Sequence, residues 1–319
     1  MNTQSNKVGR IMMSLGTVLL AGAVLAQERP RQPAAAPSHD HDRVLRHIAT
    51  LNIELLRDVE FGKGGDRPLK LHILRPKKPP AEPMPVLVWI HGGAWTTGNK
   101  DTGLYRLSFF AQRGYFCVTI EYRLAGEARF QAQIEDCKCA IRFLRAKAKE
   151  YNIDPNRIGV WGGSAGGHLA ALLGTSGNVS ALEGHGGWPE HSSNVQAVCA
   201  CAAPSDFFKW DKGAFSAGID LIGGPFDTNK EKAALASPVT HVGKQAPPFL
   251  IVHGELDNTV PLRQSQLLHA ALQKAGVNAT LHVESGAPHS VLGGGPHTKL
   301  QRMIDEFFDK HLKAGKANP

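Results

Sequence analysis

Ser164 stands in Gly162-Gly163-Ser164-Ala165-Gly166, which fits the pattern G-x-S-x-G. A serine hydroxyl attacks a carbonyl only when a base removes its proton. The spacing suits that task for a steric reason. A turn sharp enough to lift Oγ clear of a sheet brings together the residues two places before and after it. Glycine at both places removes the collision. The helix expected after the turn adds a dipole that favours negative charge near the serine. The chemistry this arrangement serves is acyl transfer.

Such a serine needs a base, and the base needs an acid to orient it. Asp257 lies in His253-Gly254-Glu255-Leu256-Asp257, directly after an apolar run, and His289 lies in Gly286-Ala287-Pro288-His289, after the last apolar run. His289 is expected to take the proton from Ser164 and return it to the leaving group. Asp257 is expected to hold the imidazole tautomer. Glu255 is the second candidate acid, and Asp206 the third, with a structural role expected for it. His168 and His253 are expected to pack inside. Acyl transfer also creates an oxyanion, which needs N–H donors fixed where its charge appears. His91-Gly92-Gly93-Ala94-Trp95 is a small-residue loop placed well before the serine. Gly93 and Ala94 are the expected donors, with Ala165 as a third. The sequence leaves open which of Gly92, Gly93 and Ala94 point inward. Trp95 and Trp188 are candidates for the pocket wall.

The elements that must carry these residues are legible as short apolar runs alternating with helical patterns. Arg57 to Phe61 and Leu69 to Leu74 read as a hairpin with a turn over 62–66. Val86 to Ile90 is nearly continuous in apolar residues, as in a central strand covered on both faces. Tyr115 to Ile120, Arg157 to Trp161, Val195 to Ala202, Phe249 to Val252 and Ala279 to Val283 read as further strands. Leu104 to Arg113, residues 132–149, Leu169 to Leu173 and Lys299 to Leu312 read as helices. This alternation implies an α/β fold with a mostly parallel sheet covered on both sides. The stretch from Phe207 to Pro238 has no clear period and is expected to pass over the active site.

The chain has 319 residues, 42% of them hydrophobic, with 34 glycines and a formal charge of +8. Lys7 and Arg10 precede an apolar run of 16 residues, Ile11 to Ala26, which ends in Val24-Leu25-Ala26. That pattern is expected of an export signal over 1–26, since a membrane span needs about 20 residues. Its removal would lower the charge from +8 to +6. Residues 27–42 read as a disordered linker. His39-Asp40-His41-Asp42 within it is expected to be solvated rather than to form a metal site. Residues 43–319 form the expected catalytic domain. The remaining charges are scattered, so no nucleic-acid partner is expected. Five cysteines, at 117, 137, 139, 199 and 201, allow two readings. One is a bridge from Cys137 or Cys139 to Cys199 or Cys201; the other is a set of small buried apolar side chains.

The chain resembles the α/β-hydrolase esterases with an H-G-G-x-W loop, near the bacterial ferulic-acid-esterase-like and hormone-sensitive-lipase-like carboxylesterase groups. The resemblance runs from about Leu69 to Leu312. It rests on the two glycine motifs, His253 to Asp257, Glu121-Tyr122-Arg123-Leu124 and Asp154-Pro155-Asn156-Arg157-Ile158. Pro288 and Ser290 depart from the group's usual residues beside the catalytic histidine. The resemblance implies hydrolysis of carboxylic esters with no cofactor or metal, with Ser164, Asp257 and His289 in the order Ser, Asp, His of that fold. The expected substrate is a small-molecule or polysaccharide-linked ester, such as an acetyl or feruloyl ester of plant polysaccharide. The expected location is secreted or periplasmic, without stable membrane insertion after the signal is cut. A serine peptidase of the same fold and a catalytically inactive binding protein are the alternatives.

Overall fold

The computed structural model describes residues 1–2, 39–210, 216–293 and 298–313. The expected export signal and most of the linker lie outside the described residues. The chain divides into two units, Met1–Ala35 and Ala36–Pro319, and the sheet and its helices belong to the second. Helix α1, His39–Thr50, begins inside the stretch read as linker. Its apolar residues Val44, Leu45 and Ile48 pack on one side of the sheet.

Eight strands form one sheet in the order β1-β2-β4-β3-β5-β6-β7-β8. They are β1 (Ile53–Gly64), β2 (Arg67–Pro76), β3 (Met84–Ile90), β4 (Phe116–Ile120), β5 (Ile153–Gly163), β6 (Ala197–Cys201), β7 (Phe249–Gly254) and β8 (Ala279–Glu284). The β1–β2 and β2–β4 pairs are antiparallel, and the pairs from β4 through β8 are parallel. This is the mostly parallel α/β sheet expected from the alternating runs. The hairpin is longer than its apolar residues suggest, because two bulges let β1 continue past Leu56 and Glu60.

The central strands are buried on both faces, and their side chains alternate between two cores. Val86, Val88 and Ile90 of β3 join one core, with α3 (Ala132–Ala146), α5 (Ala165–Thr175) and α8 (Arg263–Lys274). Leu87 and Trp89 join the other, with α1, α2 (Leu104–Gln112) and α9 (Lys299–Phe308). The same alternation settles the cysteines. Cys137 and Cys139 project from α3 into the first core, whereas Cys199 and Cys201 of β6 face the second. The sheet stands between the two pairs, so the bridge considered above does not form. All five thiols are free and buried.

The helix expected over 132–149 breaks at Lys147, whose ψ of 11° leaves the helical region. A short α4 (Ala148–Tyr151) follows and ends at Asn152, with a left-handed φ of 50°. The final helix is regular to Phe308 and then widens into a π turn over Asp309–Lys313. The segment from Phe207 to Pro238 holds α6 (Ser216–Ile222) and α7 (Lys230–Ala236). Its Phe207, Leu221, Ile222, Ala233 and Ala236 pack into the first core. Among the described residues, no helix is long and apolar enough to cross a membrane.

Candidate active site

Strand β5 runs straight into Ser164, which has φ 56° and ψ −123° and caps α5. A non-glycine residue in that region stores about 1–3 kcal/mol of strain. Packing holds it there. A Cβ on Gly162 would lie 2.4 Å from the Gly166 carbonyl oxygen, and one on Gly166 would lie 2.0 Å from that of Ile90. Both contacts are with backbone, which cannot swing aside. The Ser164 N–H donates to the Cys201 carbonyl at 2.9 Å, and the His168 N–H to the Ser164 carbonyl at 2.9 Å. The elbow is therefore clamped between the ends of β3 and β6.

The side chains of Ser164, His289 and Asp257 meet as the sequence led us to expect. His289 Nε2 lies 2.9 Å from Ser164 Oγ, and His289 Nδ1 lies 2.7 Å from Asp257 Oδ2. A neutral ring protonated on Nδ1 satisfies both contacts: it donates to the carboxylate and accepts from the hydroxyl. Asp257 sits just beyond β7, and the turn after β8 carries His289. Asp257 Oδ1 accepts the N–H groups of Thr259 and Val260, each at 2.8 Å. Its Oδ2 also lies 3.2 Å from His253 Nε2. Burial would raise the Asp257 carboxyl. The hydrogen bonds from His253, His289, Val260 and Thr259 outweigh it and hold the group well below the usual carboxylate range.

His253 is thus more than core filling. Its Nδ1 meets Ser265 Oγ at 2.7 Å, and its Nε2 also reaches the Val260 carbonyl at 2.8 Å. The ring braces the acid from beneath. The other carboxylates are engaged elsewhere. Glu255 accepts from Ser285 Oγ and the Gly286 N–H at 2.7 and 2.8 Å, closing the turn after β8. Asp206 caps a short helical turn by accepting the Phe208 N–H at 3.0 Å. Neither makes a hydrogen bond to His289 among the described residues.

The loop after β3 takes three successive left-handed residues, Gly93, Ala94 and Trp95, with φ of 111°, 53° and 60°. Gly92 and Gly93 border the cavity at Ser164. A Cβ on Gly92 would lie 2.8 Å from the Gly163 carbonyl oxygen and 3.5 Å from Ser164 Cβ. Ala165 opens α5, so its N–H has no intrahelical acceptor. His91 anchors the loop. It stacks on Tyr122 with centroids 4.2 Å apart, and its Nδ1 donates to the Gly92 carbonyl at 2.8 Å. Burial drives its pKa down to about 4, so the ring is neutral near pH 7. Trp95 is buried rather than a pocket wall. Its Nε1 donates to His168 Nδ1 at 3.1 Å, and His168 Nε2 donates to the Ala236 carbonyl at 2.7 Å. This chain ties the loop to α5 and α7. Burial also pushes His168 down to about 4.

A cavity of about 470 Å³ opens at Ser164, with walls from Trp89, Gly92, Gly93, Cys201, Ala202 and His289. None of the described residues from 207–238 lines it; residues 211–215 of the stretch expected to pass over the site lie outside the described residues. Trp188 is also absent from its walls, because its Nε1 is held by the Phe61 carbonyl at 2.8 Å. Among the wall residues the sequence reading missed are Trp89 and Arg106. Their one available signal is a bulky aromatic in an otherwise aliphatic strand, and a cation one helix beyond the glycine loop.

A polarised serine at a strand-to-helix elbow, an imidazole and a carboxylate on the loops after β7 and β8, and a parallel sheet beneath them define an α/β-hydrolase. Comparison with known proteins agrees. A family model described as BD-FAE matches residues 71–272, and the chain belongs to that family. Among curated proteins it is similar to esterase LipQ of Mycobacterium tuberculosis, 33% identical over 260 residues, covering 80% of this chain and 61% of that one. Esterase LipC of the same organism is 33% identical over 234 residues, covering 70% of this chain and 58% of that one. This chain therefore spans 61% or less of the length of these relatives. Among solved structures, a truncated carbohydrate esterase from gut microbiota superposes with a TM-score of 0.74 at 29% identity, covering 82% of this chain and 96% of that one. A thermophilic esterase of Thermogutta terrifontis with butyrate bound gives 0.68 at 29% identity, covering 80% and 94%.

Proposed function

We propose that this protein is a serine carboxylesterase that works through an acyl-enzyme on Ser164. The observation that carries the proposal is the Ser164–His289–Asp257 relay, with contacts of 2.9 and 2.7 Å. His289 takes the Ser164 proton as Oγ attacks the ester carbonyl. The oxyanion is met by N–H groups of Gly93, Ala94 and Ala165, of which Gly93 borders the cavity. His289 then gives the proton to the departing alcohol, and a water molecule repeats the sequence to release the acid. Asp257, already held as the anion by four donors, stabilises the imidazolium.

The substrate is a carboxylic ester, in our reading an acetyl or feruloyl ester on plant polysaccharide. The carbohydrate esterase similar in structure supports the sugar side. The butyrate bound by the Thermogutta esterase supports a short acyl group. Export is part of the same reading and rests on Lys7, Arg10 and the apolar run 11–26. The test is turnover of p-nitrophenyl acetate by the purified protein and by Ser164→Ala. A loss of about 10⁶ in kcat is expected, as for removal of the nucleophile in other serine hydrolases. Equal turnover by the variant would refute the proposal.

A further inference from the structure

The cavity at Ser164 is bordered by one guanidinium that no carboxylate among the described residues answers. Arg106 projects from α2 into its wall. One Nη donates to the Leu292 carbonyl. The guanidinium carbon lies 5.9 Å from the Trp89 ring centre and 6.0 Å from that of Trp161. Among the described residues no carboxylate forms an ion pair with it. Two other half-buried arginines do meet a carboxylate, Arg75 with Glu54 at 2.7 Å and Arg123 with Asp136 at 2.7 Å, whereas Arg145, away from the cavity, donates only to the Ser192 and Asn194 carbonyls. Burial lowers the Arg106 pKa, the sign of a cation drawn out of water without full compensation. Among the described residues only one of its five N–H donors has a hydrogen-bond acceptor.

The surroundings say on which side of the ester this cation acts. Arg106, Val291 and Leu292 border both the Ser164 cavity and a second hollow of about 190 Å³. The groove so formed follows Ser290, Val291 and Leu292, the residues directly after His289. His289 is the group that protonates the departing alcohol, so this is the alcohol side. The far hollow carries the exposed Lys299, a second cation. Its Glu284 is engaged by His282, with Nε2 to Oε2 at 2.7 Å.

We infer that Arg106 binds a carboxylate on the alcohol half of the ester, so that the preferred substrate is an acylated hydroxy-acid such as a uronosyl residue. This rests on the ester-hydrolase reading above and narrows it. A planar carboxylate can take two parallel N–H bonds from the guanidinium, which sets the alcohol oxygen toward His289. No bond is made or broken at Arg106; it is a specificity-determining residue.

The experiment compares acetate release from an O-acetylated methyl uronoside with release from its primary uronamide, the same sugar without the charge. The full chain is expected to favour the acid by about tenfold or more in kcat/KM, the effect of one charge-assisted contact. Arg106→Gln is expected to bring the ratio near one, and Arg106→Lys to keep part of it. Calorimetric binding of the deacetylated methyl uronoside to Ser164→Ala protein reads the same contact without turnover, and Arg106→Gln should abolish it. Equal wild-type rates for acid and amide overturn the inference. So does an Arg106→Gln variant that slows both substrates by one factor, because Arg106 would then merely brace the loop at Leu292. A preference for carboxylate found only on the acyl half overturns the choice of side. Failure of the ester-hydrolase reading looks different: p-nitrophenyl acetate turnover would survive Ser164→Ala whatever happens to the uronoside.

Discussion

The nucleophile and its base are held in opposite ways. The elbow at Ser164 is fixed by exclusion: backbone carbonyls occupy the space where a Cβ at 162 or 166 would go. The arm that carries Asp257 and His289 is fixed by polar contacts. Two backbone N–H groups and two imidazoles converge on one carboxylate, and His289 itself remains partly exposed. Steric fixing stores strain and tolerates no added atom. Polar fixing tolerates shape but depends on protonation and on donor count. The contrast suits the work, since the attacking oxygen must stay still while the imidazole gains and loses a proton.

The strongest way to break the contrast is to add one methyl group to the elbow. Gly166→Ala places a Cβ 2.0 Å from the Ile90 carbonyl oxygen and 2.6 Å from that of His91. A loss of about 4 kcal/mol or more is expected, in the range reserved for severe backbone or core clashes. Urea unfolding measures it, and a wild-type midpoint would show that the elbow yields more readily than its geometry indicates.

On the polar arm, shape can be kept while the charge is removed. Asp257→Asn is expected to lower kcat by about 10³–10⁴, because the amide cannot hold the same imidazole tautomer. Asp206→Ala is expected to cost about 1 kcal/mol of stability through its lost cap and to leave kcat unchanged. If Asp206 rather than Asp257 carried the large kinetic effect, the arm would have been assigned to the wrong carboxylate.

The mildest probe is pH. His91 and His168, which support the elbow side, have folded pKa values pushed by burial to about 4, against 6.5 for the free side chain. Between those values the unfolded chain takes up protons that the folded chain refuses. Their stabilisation is therefore full above pH 6.5 and is lost as pH falls toward 4. The slope is about 1.4 kcal/mol per pH unit for each ring. Asp257 also has a depressed folded pKa, but its unfolded value is 3.8. Its contribution is present above that value and is lost only as pH falls further. Unfolding measured at pH 7, 6 and 5 should show stability already falling, and a flat profile would remove the distinction between the two regions.

Much of this was legible before any coordinates. The glycine pair around Ser164 announces a backbone contact, because no other residue type removes the obstruction. The alternating apolar runs announce strands buried on both faces. Helix α8 escaped notice because its apolar face is narrow: Leu268 and Leu272 are buried, but so are Gln264 and Ser265. Helix α1 escaped because histidines and charges surround Val44, Leu45 and Ile48. Asp257 and Glu255 could be ranked from their spacing after β7. The bracing of Asp257 by His253 could not, since it depends on the turn at Val260 folding back.

The sequence by itself determined the local requirements: where a side chain had to be absent, where a strand had to be apolar throughout, and which residue types could relay a proton. Those are properties of a few neighbouring residues and survive without knowledge of the rest. Only the tertiary structure decided that the sheet separates Cys137 and Cys139 from Cys199 and Cys201, that Trp95 braces a loop while Trp89 lines the cavity, and that Arg106 borders the same cavity as Ser164 with no carboxylate among the described residues to answer it. The reason is physical: a side chain's facing and its partners are set by the packing of elements distant in sequence, and no local pattern encodes which of those elements will lie across from it.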